Sequence, residues 1–140
     1  MKKQTEKNRN KLYHIQTWLK ILGEKYGAKN QFFRNEANIA DTSALPPIGK
    51  NRKPFYFEKG KKKANNLRLY CLKANENVVF LFSGDLKTAE KAQDCPNVKA
   101  HFNLANLITK AIDKAFIEKD IKWNEDFTLL EYDEDFEFHY

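Results

Sequence analysis

The residues that could do chemistry are basic, and they gather in the middle of the chain. Arg68 sits in a segment otherwise built of apolar residues, LRLYCLK over 67–73. Lys59, Lys61, Lys62 and Lys63 crowd the turn before it, and Lys87 and Lys91 follow the next apolar run. If residues 67–73 and 77–83 pair as strands, Arg68 and Lys87 lie near one sheet edge. Such a cluster could hold an RNA phosphate and stabilise the negative charge that builds as a 2′-hydroxyl attacks the neighbouring phosphorus. Arginine grips phosphate at two points, which lysine cannot match. Spacing alone favours a plainer reading, in which Arg68 is a solvated residue on a half-exposed strand and the lysines form an ordinary turn.

Other chemistries find no support. The three histidines, His14, His101 and His139, stand in distant segments, and neither Cys-x-x-Cys nor His-x-x-x-His occurs, so no metal is expected. Neither a Gly-x-x-x-x-Gly-Lys-[Ser/Thr] loop nor Gly-x-Gly-x-x-Gly is present, and Gly-x-Ser-x-Gly is also missing, so no nucleotide cofactor is expected. The two cysteines, Cys71 and Cys95, are too few for a disulfide scaffold and read as cytosolic thiols.

The charge is divided unevenly. Residues 123–140 hold seven acids and no Lys or Arg, which leaves all 25 basic residues against 12 acids in 1–122, a net of +13. A body that basic suggests a polyanion partner, nucleic acid being the commonest. A lysine-rich composition alone would give the same count, since 21 of the 25 are lysine. The acidic tail could fold over the basic sheet and mimic RNA, or it could be a last strand with its acids in water.

The elements that must position these residues follow from periodicity. Leu12, Ile15, Leu19, Leu22 and Tyr26 predict an amphipathic helix over 11–26, with Trp18 widening its apolar face and Gly27 at the C-cap. A weaker helix is expected over 30–40. The stretch 41–54 reads as a loop because it holds three prolines and a glycine. A small antiparallel meander is expected over 55–82: a strand at 55–57, an alternating strand at 67–73, a turn at 74–77, and a strand at 78–82 buried on both faces and ended by Ser83-Gly84-Asp85. A helix could begin over 86–93, stopped by Pro96, and a clearer helix covers 104–119. The tail mixes acids and aromatics as one or two strands, or as a segment that orders on a partner.

With 140 residues, 41% hydrophobic, the chain reads as one domain with a real core. No apolar run approaches the roughly 18–20 residues that span a bilayer. The basic start MKKQTEKNRNK has no apolar stretch after it, so no signal peptide and a cytoplasmic location are expected.

The block NNLRLYCLKANENVVFLFSGDLKTAEKAQ at 65–93 resembles the RelE/ParE toxin superfamily, nearest to its HigB-like members of bacterial type II toxin–antitoxin modules. The matching features are Leu67-Arg68-Leu69-Tyr70 on one strand, a short polar turn, the apolar run at 78–82, and Gly84 followed by Lys87-Thr88. The likeness covers about 10–95 and leaves 97–140 as an extension. It implies an α+β fold, with N-terminal helices packed on a small twisted antiparallel sheet, then a C-terminal helix and acidic tail. It implies a metal-independent endoribonuclease that cuts mRNA at the ribosome, inhibits translation, and is neutralised by a cognate antitoxin. Arg68 would bind the scissile phosphate, Lys87 would act beside it, and Lys59, Lys61–Lys63 and Lys91 would hold the RNA backbone. The family's His or Tyr acid/base has no counterpart in 84–100, and the closing Phe138-His139-Tyr140 follows an intervening helix rather than the core strand. A non-catalytic nucleic-acid or protein-binding module, or a gyrase inhibitor of the ParE type, remains an alternative.

Overall fold

The structure, a computed structural model, describes residues 2–35, 42–47, 56–88 and 95–140. Helix α1 (Lys2–Ile21) continues into a π-turn at Leu22–Tyr26. It ends at Gly27, whose φ of 77° and N–H bond to the Leu22 carbonyl close the last turn. The expected C-terminus holds, but the helix starts nine residues earlier. Those residues carry no apolar stripe, yet Lys, Gln, Glu and Arg are good helix formers. The apolar face is also rotated from expectation: Trp18 is at its fully buried centre, whereas Leu12 is 39% exposed.

The second expected helix is replaced by a 3-10 turn at Asn30–Phe32 and a short strand, β1 (Arg34–Asn35); 36–40 lie outside the described residues. Phe32 places its ring in the core, edge-on to Trp18 at 5.5 Å between centroids. Within the stretch read as a loop lies a central strand, β2 (Thr42–Leu45). Its sequence, Thr-Ser-Ala-Leu, is too short and too small to show a period. Burial of Thr42, Ala44 and Leu45, together with ladder bonds to neighbours on both sides, makes it a strand.

The meander is two structures. β3 (Phe57–Glu58) pairs with β4 (Lys61–Lys62) in a separate hairpin. β5 (Leu67–Lys73) joins β2 and β6 (Val79–Leu86) in an antiparallel sheet of order β1-β2-β5-β6. The turn at 74–77 is fastened by the Asn75 side-chain oxygen, which accepts from the N–H groups of Asn77 and Val78 at 2.7 and 2.9 Å. β6 does not stop at residue 82. The register steps from Cys71↔Leu81 to Leu69↔Gly84, so Phe82 and Ser83 together face Tyr70 in a β-bulge. Beyond the bulge the strands run so close that a Cβ on Gly84 would stand 1.7 Å from the Arg68 carbonyl oxygen. Nor is this run buried on both faces: β6 is a sheet edge, and Leu81 is 51% exposed.

Alternation along β5 divides the core as expected. Leu67, Leu69 and Cys71 pack with Ile15, Trp18, Leu22, Phe32 and Leu45 under α1. Tyr70 and Leu72 pack with helix α2 (Pro96–Ile117) on the other face. Pro96 opens this helix, as its missing N–H allows at a first turn. Residues 89–94 of the possible 86–93 helix lie outside the described residues, and Leu86 belongs to β6. The fold is thus α+β, with one helix on each face of the four-stranded sheet, where two N-terminal helices against the sheet and a C-terminal helix were expected.

The tail forms a hairpin, β7 (Ile121–Trp123) with β8 (Leu130–Tyr132). Trp123 stacks on Phe116 at 5.2 Å, and Phe136 joins the cluster of Leu72, Ile112, Ala115 and Ile121. The tail therefore packs at the Leu72 end of β5, away from Arg68. Among the described residues no helix is long and apolar enough to cross a membrane.

Candidate functional site

The sequence places its basic residues in one region, and the fold brings them to one end of the sheet, where β5 begins and β6 ends. The β3–β4 hairpin turns at Lys59 and Gly60, both with positive φ (50° and 74°), which suits the twist of a tight hairpin. The Lys63 N–H closes it on the Tyr56 carbonyl at 3.0 Å. Lys59, Lys61, Lys62 and Lys63 are all exposed. Lys91 lies outside the described residues.

Two asparagines fasten this hairpin, α1 and the sheet together. The Asn65 amide nitrogen donates to the Lys11 carbonyl at 2.9 Å, and its oxygen accepts the Leu67 N–H at 3.0 Å. Those two bonds fix which way the amide points. The same nitrogen is 2.9 Å from His14 Nδ1, so that atom accepts and the neutral imidazole carries its proton on Nε2. The His14 ring lies 5.7 Å from that of the buried Tyr56. Asn66 accepts the Lys11 ammonium on its side-chain oxygen at 2.6 Å and the Lys87 N–H on its carbonyl at 2.7 Å. Lys11 is itself buried, so its amine serves this junction rather than solvent.

Arg68 is not a solvated strand residue. It is 8% exposed, and Nη1 donates to the carbonyls of Asn65 (2.9 Å) and Leu67 (3.1 Å). Its backbone partner across the sheet is Asp85, whose carboxylate accepts the Leu86 N–H at 2.7 Å. A cleft of about 410 Å³ opens beside this pair, between α1 and β6, lined by Arg9, Leu12, Leu67, Arg68, Gly84 and Asp85 among others. Lys87 is half-buried at the end of β6, within a residue of the Asn66 junction.

On the α2 side, Ser83 Oγ stands 2.8 Å from His101 Nδ1, and both residues are half-buried. Cys95 ties the start of α2 to the end of β6: its Sγ accepts the Thr88 N–H at 3.1 Å and lies 3.8 Å from the Leu86 carbonyl. Cys71 is in the core, where burial pushes its thiol up to about 12, so it is inert as a nucleophile. Among the described residues no three His, Cys, Asp or Glu side chains converge as a metal site.

The structure therefore joins Arg68 and Lys87 through Asn65 and Asn66, which follow the lysine turn in the chain, and adds Lys11 and His14 to that junction. Sequence reasoning missed Lys11, Asn65 and Asn66, and met His14 only as a lone histidine. One signal was available: Lys11 falls on the stripe of Ile15, Trp18 and Leu22, and a lysine on a buried stripe needs a polar partner. The partners stand 54 and 55 residues away, where no local pattern reaches. Searches of family models, of curated proteins and of solved structures return no match to this chain.

Proposed function

We propose that this chain is a RelE/ParE-superfamily, HigB-like toxin of a type II toxin–antitoxin module, an endoribonuclease that cuts mRNA at the ribosome and stops translation. Its partners in this reading are mRNA, the ribosome and a cognate antitoxin. The observation that carries the reading is the junction at one sheet end in which the Asn65 carbonyl holds Arg68 and the Asn66 carbonyl holds the Lys87 N–H, immediately after the four exposed lysines in the chain. A flexible lysine turn alone would bind polyanions loosely. A turn braced against a buried polar junction holds its charges in one place, as a phosphate backbone requires. With Nη1 committed to backbone carbonyls, Arg68 acts here by setting Asn65 and the strand start, while the lysines meet RNA.

The test is controlled expression of the wild type and of the variant carrying Lys59→Ala, Lys61→Ala, Lys62→Ala and Lys63→Ala. Growth and message integrity are followed together. Arrest with cut messages, relieved in the variant, is the expected result. Normal growth with intact messages for the wild type overturns it. A second reading, a non-catalytic RNA-binding module, is favoured by the burial of Arg68. It predicts salt-sensitive RNA binding without strand scission.

A further inference from the structure

The hairpin of β7 and β8 holds apolar side chains out to water by construction. In its turn the Asn124 side-chain oxygen accepts the N–H groups of Thr128 and Leu129 at 2.9 and 3.0 Å. The Asn124 N–H donates to the Leu129 carbonyl at 3.0 Å, and the Asn75 amide donates to the Phe127 carbonyl at 3.0 Å. Within this frame Phe127 stands at a φ of 60°, where bulky residues are rare. Its ring is nevertheless 55% exposed, and Leu129 is 67% exposed. Apolar side chains on a backbone held this firmly lose little freedom when a partner covers them. Glu125, Asp126 and Glu131 flank them, and no Lys or Arg occurs over 123–140. The partner that fits is an apolar hollow in a basic surface.

This chain has such a hollow. The cleft between α1 and β6 is lined by Leu12, Leu67 and Leu69, with Arg9 and Arg68 against one acid, Asp85. It belongs to the part of the chain that carries +13. The hairpin of the same copy does not reach it. The hairpin turn is tied to Asn75, beyond the Lys73 end of β5, and the tail packs on the α2 face. The cleft lies at the Leu67 end, on the α1 face. We propose that a second copy of this chain fills the cleft, its Phe127 and Leu129 covering the leucines and its carboxylates meeting the basic body. The contact is heterologous, so each terminal copy keeps an unused hairpin or cleft, and the assembly grows as an open chain. Being small and charge-driven, it is transient and weakened by salt. It is independent of the ribonuclease reading.

Sedimentation velocity of the full chain, without RNA, is the test. At about 0.02 M salt the wild type should grow with concentration past the size of a dimer, and at about 0.5 M it should return to monomer. Phe127→Asn removes the ring and supplies a residue that tolerates the left-handed backbone. Leu12→Glu puts a carboxylate in the cleft on a good helix former. Each variant should keep the wild-type circular dichroism and, alone, associate at least about tenfold more weakly, as loss of a central anchor requires. Mixed in equal amounts they should form a dimer and nothing larger, because Phe127→Asn brings an intact cleft and Leu12→Glu an intact hairpin. A wild type that stays monomeric at low salt overturns the proposal and leaves the hairpin to a different, basic protein. Undiminished association of either variant alone, or a mixture of folded variants that stays monomeric, overturns it as well.

Discussion

The two ends of β5 are built on opposite principles. At the Leu67 end, the lysine hairpin, α1 and the sheet meet through hydrogen bonds among polar groups: buried Lys11, Asn65 and Arg68, and half-buried Asn66. At the Lys73 end, the acidic tail is held by apolar packing of Phe136 against Leu72, Ile112, Ala115 and Ile121, and of Trp123 on Phe116. Polar bonds are directional and fix where each group stands; apolar packing is tolerant of direction. The basic end is therefore specified atom by atom. The acidic end presents its carboxylates at the surface, where they are set by local turns. Asp126 is an example: its bond from the Thr128 hydroxyl, 2.6 Å long, holds its carboxyl below the ordinary range with no burial at all.

This contrast predicts unequal fragility. The largest loss should come from Gly84→Ala, which drives a methyl into the Arg68 carbonyl at 1.7 Å and must part β5 from β6 where the basic end begins. We expect a cost above about 3 kcal/mol in urea unfolding. A cost under about 1 kcal/mol would mean that this close approach is not part of the folded state.

Asn65→Ala should come next. It removes the partners of the Leu67 N–H and His14 Nδ1 in a largely buried site, and the second donor to the Lys11 carbonyl, at about 1–3 kcal/mol for each group that water cannot reach. We expect a total of about 3 kcal/mol, along with weaker RNA binding as the hairpin loses its brace. Phe136→Ala at the other end, removing a half-buried ring, should cost about 1–2 kcal/mol and leave RNA binding unchanged. If the two variants lost RNA binding equally, the ends would not be independent and the comparison would fail. The quadruple lysine variant separates the terms again. Its exposed side chains should change stability by less than about 0.5 kcal/mol. Its RNA affinity should fall, and the slope of log affinity against log salt should shallow by up to about 3, at roughly 0.7 for each phosphate that a lysine no longer neutralises.

The same contrast explains what could be read from the chain alone. The end built by periodic packing was partly legible: strict alternation over 67–73 gave β5 and the division of its faces, and the apolar stripe gave α1 and α2. β2 was not, because Thr-Ser-Ala-Leu acquires its identity only from the strands and Thr109 around it. At the basic end the charges were visible as composition, but their bracing was not. Asn65 and His14 look like any surface polar residues until the fold carries them across 51 positions to within 2.9 Å. Ser83 read as a strand terminator, because a bulge has no periodic signature.

The acidic tail provides the smallest effect and the finest test. Changing Glu131, Asp133, Glu134, Asp135 and Glu137 to their amides would remove five exposed charges without touching Phe136. Were the tail a mask over the basic surface, that change would raise RNA affinity steeply. The tail instead packs beside Leu72, four residues along β5 from Arg68 and about 13 Å away at ordinary strand rise. That separation exceeds the screening length of roughly 8–10 Å near physiological salt. Affinity for single-stranded RNA should therefore move by less than about twofold at about 0.15 M salt and rise visibly only near about 0.01 M, where the screening length reaches about 30 Å. A roughly tenfold gain at the higher salt would place the carboxylates within direct reach of the lysines and undo the separation of the two ends.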